Sequence, residues 1–576
     1  MPPSAPIIER EWRVRPAPPE ALAAVQAAAI SAELPGVVQC LLAQRGLADE
    51  EALEKFLRPR LAHLTAPEAL PHMEEAVARL SQAIDGGQRV MLYGDYDVDG
   101  VTSLAILTRA LKALGLVPRS FLPHRMDEGY GLSQEGLQRC LAKERPDLLV
   151  AVDCGTASVK EIAWLRAQGI DVIVLDHHEP SPEGLPDAIV VNPKLGGTFH
   201  YLCTAGLAFK MAHALFRARQ ARDLRTLLEE VLDFVALGTV ADVVPLIEEN
   251  RLLVAKGLEK LASTRHAGLC ALKEVCGVNG RPRSMHLGFR LGPRLNAAGR
   301  LDTAQAALDL LTTGNFSQAD VLARQLDDQN RERQAVQACV EAEATRLAIQ
   351  QFAENDPCAL VLGSPDWHPG VVGIVAGKLA RRFHRPIFVV AFDEAGLGKG
   401  SGRSIDGISL VAALDHGGCR ATLLKGGGHA MAAGITIEQE KFPAFAEEFT
   451  AAVRAQLGAG GRFQPTAWAD AEILLCDIDF ELLDAYEQLE PFGDANREPV
   501  FLLRRVHPAE EPRVLKEKHR RLTLYQEGTT ATAMWFDSAS IPLPPPPWDL
   551  LLTIQRGEWR GEERVDLYVQ DVREAR

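Results

Sequence analysis

The sequence predicts an α/β protein: a parallel-sheet domain, a smaller α/β domain joined to it by a long helix, and a C-terminal β-barrel. Three observations predict this fold class. Three apolar runs between residues 89 and 176 alternate with helical patterns, which is typical of a parallel sheet covered on both faces. A strand–helix–strand pattern returns between residues 358 and 457, after a long helical pattern. The last hundred residues contain five strand-like runs separated by turns.

The order of the domains follows from changes in pattern along the 576 residues. We predict a helical N-terminal region over 1–80, the parallel-sheet domain over 81–250, a helical region with the connecting helix over 251–355, the smaller α/β domain over 356–457 and the barrel over 466–576. The connecting helix is predicted over Ser317–Glu354, which contains neither Gly nor Pro. Gly458–Pro465 has the composition of a linker. Met1–Pro19 is predicted to be a Pro-rich, partly disordered leader.

Cysteine usage and hydropathy indicate a cytoplasmic protein. The ten cysteines occur singly, without a Cys-x-x-Cys pair, so neither a zinc ribbon nor a disulfide framework is favoured. The sequence shows no signal peptide and no apolar run long enough to span a bilayer. We therefore expect reduced thiols and no membrane attachment.

Charge is unevenly distributed. The net charge of −15 taken alone argues against nucleic-acid binding. However, residues 275–301 contain five arginines and no acid, and Arg513–Arg521 is rich in basic side chains. Basic patches on an acidic body suit contacts with a phosphate chain, and a solvated surface face remains the alternative for each.

The run Arg89–Gly100 carries the strongest chemical signal. An apolar strand is followed by Asp95, Asp97 and Asp99 at alternate positions, before a Gly that opens a helix. Three carboxylates this close repel one another unless cations neutralise them, and oxygen ligands suit Mg²⁺ or Mn²⁺. A calcium-binding EF-hand loop also begins in this way, but its twelfth position would hold Ile106 instead of Glu. A solvated Asp-rich turn remains the other alternative at this point.

Three further segments supply possible ligands. The run from Asp147 to Asp153 and the run from Asp171 to His178 each read as a buried strand that ends in an acid. Ligands collect at the carboxyl ends of parallel strands, so we expect Asp97, Asp99, Asp153, His177 and His178 at one edge of the sheet. A helix-like run that is predicted to break near Gly238 is followed by Asp242, which brings the donors to a number sufficient for two cations.

The order of these motifs resembles the DHH phosphoesterase superfamily and, within it, the RecJ family of bacterial exonucleases specific for single-stranded DNA. The resemblance rests on Gly94–Gly100, Asp153–Gly155, Asp176–His178 and Ala241–Pro245. It extends from about residue 80 to the C terminus through Gly292–Arg300, Ser401–Ser404, Gly426–Gly434 and Leu489–Gly493. It implies that the domains are a DHH domain, a DHH-associated domain and an OB-fold.

The resemblance also implies a ligand set for two ions, Mn²⁺ or Mg²⁺. Asp153 would bridge both ions, Asp97 would hold one, and Asp99, His177 and Asp242 would hold the other. Asp95 and His178 would lie next to the ions or contact the phosphate, and Asp95 is included among the candidate metal ligands. The residue types do not decide between the two metals, because carboxylate and imidazole accept both.

Several residues are candidates for binding the substrate phosphates. Lys399 precedes Gly, so Leu397–Ser404 is not a Walker A sequence, yet Ser401 and Arg403 would suit a phosphate. Glycine-rich backbone before His429 would let an anion approach, with a structural glycine turn as the alternative. The full set of candidates is Arg294, Arg300, Ser401, Arg403, Gly427, Gly428 and His429.

The barrel is predicted to contain five strands, over 500–504, 521–525, 529–536, 549–554 and 564–569. Trp535, Tyr525 and Trp559 are candidates for stacking on bases, with core packing as the alternative for each.

The resemblance implies that the chain would be a 5′→3′ exonuclease that releases 5′-mononucleotides from single-stranded DNA in recombination and repair. Single-strand-binding protein and a RecQ-type helicase are the implied partners, and a monomer is expected. The rivals are a nanoRNase or cyclic-dinucleotide phosphodiesterase, a manganese pyrophosphatase and, from another class, a catalytically silent replication scaffold.

Overall fold

The computed structural model describes residues 10–123, 131–197, 199–301, 304–458, 461 and 463–575, without the side chains of residues 298–301 and 355. The chain divides into two compact units. The larger unit contains residues 14–327 and 468–576, and the smaller unit contains residues 1–13 and 328–467.

A five-stranded parallel sheet of strand order β3-β2-β4-β5-β6 lies at the centre of the larger unit. Its strands are β2 Val90–Gly94, β3 Arg119–Phe121, β4 Leu148–Val152, β5 Asp171–Leu175 and β6 Ile189–Val191. Val152 pairs with both Gly94 and Leu175 in register. The three central strands therefore end level with one another, and the residues that follow them are adjacent in space.

Helices cover this sheet and form most of the remaining core. They are α4 Met73–Asp85, α5 Val98–Ala113, α6 Gln134–Lys143, α7 Val159–Ala167, α8 Thr204–Ala218, α9 Leu224–Glu229, α10 Leu232–Ala241, α11 Glu248–Ala262, α12 Ala267–Val275, α13 Ser284–His286, α14 Gly292–Leu301 and α15 Gln305–Thr312. A π-helical turn, Leu287–Leu291, joins α13 to α14. α10 continues through Gly238, so the predicted break there is wrong; Gly238 instead allows α5 and α8 to pack closely against α10.

The C-terminal barrel belongs to the same unit. Its strand order is β13-β14-β18-β19-β17-β16-β15, and pairing of β14 with β16 brings the sheet round on itself. The strands are β13 Ala471–Glu472, β14 Phe501–Pro508, β15 Arg513–Leu515, β16 His519–Gln526, β17 Thr529–Trp535, β18 Trp548–Trp559 and β19 Glu562–Glu574. The five predicted strands are present, four of them longer than expected and β17 one residue shorter, while the short strands β13 and β15 were missed.

N-terminal helices pack into the core of this barrel. α1 Pro19–Ala27, α2 Gly36–Gln44 and α3 Glu50–Leu57 bury Val25, Leu41 and Leu53 with barrel residues such as Phe501 and Leu550. Between β13 and β14, α20 Phe480–Glu487 contributes to the same core.

The smaller unit contains a mixed five-stranded sheet of order β10-β11-β9-β8-β7. Its strands are β7 Leu360–Ser364, β8 Ile387–Phe392, β9 Leu397–Arg403, β10 Lys425–Gly428 and β11 Ala432–Glu438, and its helices are α17 Val372–Phe383, α18 Leu410–Asp415 and α19 Phe442–Leu457. The predicted connecting helix is confirmed as α16 Phe316–Asn355, and the division between the units falls within it.

The N-terminal leader is more ordered than its composition suggests. Residues 10–19 include the strand β1 Glu11–Val14, which pairs with β12 Thr466–Ala469, and the backbone N–H of Glu11 donates to the carbonyl of Pro465. The prediction of disorder is therefore wrong for this part, because a pairing partner more than 450 positions away cannot be read from local composition. Residues 1–9 lie outside the described residues. Among the described helices, we find none whose length and apolarity would allow it to cross a membrane.

Candidate metal centre

The candidate centre lies at the carboxyl ends of β2, β4 and β5. Oxygen and nitrogen atoms of seven side chains form three overlapping groups in which all ligand atoms lie within 4.8 Å of one another. The groups are Asp95 with Asp97 and Asp153, Asp99 with His177 and Asp242, and Asp153 with His177 and His178. The structure thus brings together every residue that the sequence suggested for this site.

His177 lies at the meeting point of the carboxylates. Its Nε2 is 3.5 Å from Asp153 Oδ1, 3.5 Å from Asp242 Oδ2 and 3.9 Å from Asp99 Oδ2. Four side chains from four different segments therefore lie close enough together to bind one metal ion.

Helix termini hold the carboxylates that follow β2. Asp97 is the N-cap of α5, where its side chain accepts a hydrogen bond of 3.0 Å from the backbone N–H of Gly100. Asp99 is buried and accepts from the backbone N–H groups of Thr204 and Ala205, at 2.7 and 2.8 Å, at the start of α8. The positive end of that helix favours a carboxylate at this position.

Asp153 is held by a hydroxyl that sequence reasoning missed. The backbone φ of Asp153 is 64°, a left-handed conformation that is uncommon outside glycine. The Thr204 hydroxyl donates to Asp153 Oδ1 at 2.8 Å. Thr204 lies 51 positions from Asp153, and a single threonine at the start of a helix has no charge or motif that links it to that carboxylate, so the sequence offered no signal.

Asp176 was also missed, although it is the first residue of the Asp-His-His motif. Its buried carboxylate accepts hydrogen bonds from the backbone N–H groups of Thr156, His177 and His178. It also lies 2.7 Å from His178 Nδ1. The Asp176 side chain therefore stabilises the turn that carries both histidines. In the sequence, only its position at the end of a strand marks it as a candidate.

The carboxylates oppose one another electrostatically. Burial and the neighbouring Asp97 raise the pKa of Asp99 to about 6. Burial, Asp99 and Asp97 raise the pKa of Asp242 to about 9. Burial and the surrounding acids raise the pKa of Asp153 well above its usual range. Without positive charge among them, these groups would take up protons to relieve the repulsion.

The pKa values of the two histidines shift in opposite directions. Burial, with a contribution from His178, lowers the pKa of His177 to about 4, so its ring is neutral and offers a lone pair. Burial acts to lower the pKa of His178 as well, but the hydrogen bond and charge of Asp176 outweigh it and raise that pKa overall.

The donor set fits a divalent metal ion. Within the described residues, His177 Nε2 and Asp242 Oδ2 are buried and have no hydrogen-bond partner. Buried polar atoms are rarely left in this way without an ion or water to satisfy them. Carboxylate oxygens with one neutral imidazole are ligands that Mg²⁺ and Mn²⁺ accept.

The residues predicted to bind substrate lie in several places. Arg294, in the larger unit, donates to Asp327 Oδ1 at 2.8 Å and to the carbonyl of Arg290, so its guanidinium already has partners. The side chain of Arg300 lies outside the described residues. The other five candidates belong to the smaller unit.

In the smaller unit, Ser401 and Arg403 lie side by side at the end of β9. Arg403 Nη1 donates to Ser401 Oγ at 3.1 Å. A Cβ placed on Gly373, in the first turn of α17, would lie 3.0 Å from Ser401 Oγ and 3.4 Å from Arg403 Nη2. The hydroxyl and guanidinium therefore adjoin a helix N-terminus, which favours anions.

The three glycines Gly426–Gly428 form the last part of β10. Gly428 has a φ of 146°, and a Cβ there would lie 2.4 Å from the carbonyl oxygen of Ala432. The local backbone conformation and packing therefore require glycine at this position. A Cβ on Gly427 would meet nothing within 4 Å. The backbone N–H of His429 donates to the Ala432 carbonyl at 2.7 Å, which closes the turn.

Three family models match consecutive parts of the chain. Residues 89–239 match the N-terminal domain of the DHH family, residues 355–455 match the DHHA1 domain, and residues 469–571 match the RecJ OB domain.

Whole proteins and solved structures match over almost the full length. The single-stranded-DNA-specific exonuclease RecJ of Dickeya dadantii is 36% identical over 569 residues, which cover 93% of this chain and 96% of that protein. The crystal structure of Thermus thermophilus RecJ in complex with Mn²⁺ is similar with a TM-score of 0.82 and 32% identity, covering 98% of this chain and 80% of that one. The Mg²⁺ complex from the same organism gives a TM-score of 0.77 and 30% identity, with 98% and 79% covered.

Proposed function

The chain belongs to the RecJ family, and we propose that it is a metal-dependent exonuclease that hydrolyses single-stranded DNA from the 5′ end and releases 5′-mononucleotides. The observation that carries the proposal is the convergence of Asp99, Asp153, His177 and Asp242. Two of the atoms that could bind a metal there, one on His177 and one on Asp242, are buried and have no hydrogen-bond partner among the described residues. The proposal is also supported by relatives named as single-stranded-DNA-specific exonuclease RecJ, from Dickeya dadantii and Thermus thermophilus, which match 93% and 98% of this chain.

We assign the ligands to two Mn²⁺ or Mg²⁺ ions. Asp99, His177 and Asp242 would hold one ion, Asp97 and Asp95 the other, and Asp153 both. The grouping of ligand atoms in the structure supports this division, because Asp153 shares a group with Asp95 and Asp97 and also lies 3.5 Å from His177 Nε2. When bound, a pair of divalent ions neutralises charge on the scissile phosphate and supplies a water nucleophile at neutral pH.

Side chains around the ligands prepare this chemistry. The Thr204 hydroxyl orients Asp153, and the first N–H groups of α8 orient Asp99 and favour its ionised form. Asp176 fixes the turn and holds the ring of His178. Because Asp176 raises its pKa, His178 is suited to donate from a protonated ring to a phosphate oxygen.

Residues of the smaller unit are candidates for recognising the 5′ end of the DNA strand, from which cleavage would start. We propose that Ser401, Arg403 and the Gly427–His429 turn hold the terminal 5′-phosphate. Burial lowers the pKa of Arg403, and a half-buried guanidinium beside a helix N-terminus gains from an anionic partner. The open space over Gly427 is consistent with close approach of a ligand to the backbone. Arg294 and Arg300 are proposed to add positive charge along the path of the strand.

The cellular role is proposed from the substrate. Single-stranded DNA with a free 5′ end arises in recombination and repair, where a RecQ-type helicase and single-strand-binding protein would be the partners. Ten free cysteines suit the reducing cytoplasm. One chain carries all the proposed ligands, so a monomer is sufficient for the reaction.

Digestion of a long oligonucleotide labelled at its 5′ or its 3′ end tests this proposal. With Mn²⁺, the 5′ label should appear at once as a mononucleotide, while the 3′ label should pass through progressively shorter fragments. A blunt duplex and a reaction with excess EDTA should both remain intact.

Other outcomes would favour the rival functions. Loss of the 3′ label first would contradict the assigned polarity. Cleavage restricted to dinucleotides would favour a nanoRNase, and no cleavage of any oligonucleotide with either metal would favour the replication scaffold.

A further inference from the structure

The turn that follows β6 borders the candidate metal centre. Val191 of β6 pairs with Leu175 of β5 in register, so β6 ends level with the strands that precede the candidate ligands. The next residues form a 3₁₀-helical turn, Pro193–Leu195, with Asn192 as its N-cap. This turn therefore lies at the same edge of the sheet as the carboxylates and the histidines.

Asn192 attaches the turn to the Asp-His-His segment. Its side chain is buried, and Nδ2 donates to the carbonyl of His178 at 2.9 Å and to the hydroxyl of Thr156 at 3.0 Å. Its Oδ1 accepts a hydrogen bond of 2.9 Å from the backbone N–H of Lys194. The position of the Lys194 backbone is thus fixed relative to the histidines through a single asparagine.

The ammonium group of Lys194 lies at the rim of the centre. Lys194 Nζ is 2.8 Å from Glu179 Oε1, and Glu179 directly follows His178 in the chain. The side chain of Lys194 is 32% exposed and that of Glu179 66%, so solvent reaches this pair. Within the described part of the chain, Lys194 has no second ion-pair partner. An exposed pair of this kind contributes little to stability and separates readily when another anion competes.

The charge of Lys194 reaches two candidate metal ligands. Burial and nearby carboxylates raise the pKa of Asp242, and Lys194 opposes this rise. Burial lowers the pKa of His177, and Lys194 adds to the lowering. A positive charge at this place repels a divalent cation, so Lys194 does not help to bind the metal ions. Once ions neutralise the carboxylates, the ammonium group is available to an anion that binds beside them.

We propose that Lys194 binds an oxygen of a DNA phosphate at the metal centre, and that Glu179 holds the lysine until the strand binds. This inference rests on the proposed function and adds a residue of the sheet edge to the phosphate-binding candidates. An ammonium group is a compact charge with three donors, so it can exchange a carboxylate for a phosphate while the turn stays in place. A phosphate contact is independent of the base, which suits an enzyme that degrades every sequence.

Initial rates of oligothymidylate digestion by the full chain in saturating Mn²⁺ test this contact. Lys194→Gln should lower kcat/KM roughly 10-fold, as expected for loss of a hydrogen bond between charged groups. Lys194→Arg keeps the charge and should remain closer to the wild type. Lys256→Gln is the matched control, because the side chain of Lys256 in α11 is similarly exposed, at 26%, and lies 2.8 Å from Glu259.

The salt dependence of the same rates identifies the lost contact as one with phosphate. The slope of log kcat/KM against log salt concentration should become shallower by roughly 0.7 in Lys194→Gln, because one phosphate of a single strand is no longer neutralised. The slope of Lys256→Gln should match that of the wild type. A Lys194→Gln enzyme that equals Lys256→Gln in both rate and slope would overturn the proposal.

Titration calorimetry with Mn²⁺ separates this role from support of the metal ligands. Because a positive charge is removed, Lys194→Gln should bind Mn²⁺ at least as tightly as the wild type, and by up to about 5-fold more tightly. Weaker Mn²⁺ binding, with kcat/KM restored by excess Mn²⁺, would show that Lys194 only supports the ligands and would also overturn the proposal.

Failure of the proposed function would be distinguishable from failure of this inference. A wild-type protein that leaves the oligonucleotide intact in Mn²⁺ would contradict the exonuclease. Anisotropy of a fluorescein-labelled oligothymidylate in the same buffer would then measure the contact directly. Lys194→Gln should weaken that binding about 10-fold and Lys256→Gln should not, while equal binding by the two variants would overturn the role of Lys194.

Discussion

Single side chains in this protein are held in states that are unfavourable without a cation. Asp99 and Asp153 are buried and Asp242 is partly buried close to them, and burial together with the neighbouring carboxylates raises the pKa of all three. The sequence could predict these residues because carboxylates at strand ends carry an obvious charge pattern. It could not predict Thr204 and Asp176, because a hydroxyl or carboxylate that supports another side chain is recognised only when the partner's position is known.

Thr204 provides the first prediction at this scale. Thr204→Val keeps the shape of the side chain but removes the hydroxyl that donates to Asp153, so Mn²⁺ affinity or cleavage rate should fall by roughly 10- to 100-fold. Titration calorimetry with Mn²⁺ and the oligonucleotide digestion measure the two quantities. Thr204→Ser retains the hydroxyl and should remain near the wild type. Wild-type values for Thr204→Val would show that the hydrogen bond does not support the site.

The pH dependence of stability provides the second. Because the folded-state pKa of Asp242 is raised to about 9, the metal-free folded protein holds a proton that the unfolded chain has released, and the free energy of unfolding should fall as pH rises towards 9. The lowered pKa of His177 acts in the opposite direction below about pH 6.5, so the fall should be clearest above that value.

Thermal unfolding at about pH 6.5 and about pH 8.5 checks this sign. In EDTA the melting temperature should drop between the two values, and Asp242→Asn should reduce the drop. Saturating Mn²⁺ replaces the proton, so the rise in melting temperature that it causes should be larger at the higher pH. An equal rise at both values would contradict the assignment.

Secondary-structure elements bring these side chains together through strand register and helix packing. The in-register pairing of Gly94, Val152 and Leu175 places the residues after β2, β4 and β5 side by side, which the apolar runs of the sequence were sufficient to predict. The course of α10 was harder to predict. Its glycine resembles a helix break in sequence, whereas the reason for glycine lies in α5 and α8, which pack against it.

Gly238 provides the prediction at the scale of elements. A Cβ there would lie 2.5 Å from Thr102 Oγ1, 2.6 Å from Ala205 Cβ and 2.9 Å from Asp99 Oδ1. Gly238→Ala should therefore destabilise the protein by about 1–3 kcal/mol through overpacking, and should lower Mn²⁺ affinity by displacing Asp99. Denaturant unfolding measures the first effect and calorimetry the second.

Gly377 of α17 is the control for this substitution. A Cβ on it would make only one ordinary contact, 3.8 Å from Arg403 Cγ. Gly377→Ala should leave stability unchanged or raise it by up to about 1 kcal/mol, the difference in helix propensity. If Gly238→Ala behaved in the same way, the close packing of α10 would not be essential.

At the scale of the whole molecule, the fold class and the family resemblance seen in the sequence are confirmed. Each sheet and the long helix have local patterns that indicate them. The packing of the N-terminal helices into the C-terminal barrel has no such pattern, because it joins residues more than 400 positions apart.

Anomalous diffraction from crystals soaked in Mn²⁺ tests most directly the claim that Asp153 joins two metal ions. We expect two peaks about 3.5–4 Å apart, one beside Asp99, His177 and Asp242 and the other beside Asp95 and Asp97, with the carboxylate of Asp153 next to both. A single peak, or two peaks of which only one is bound by Asp153, would contradict it.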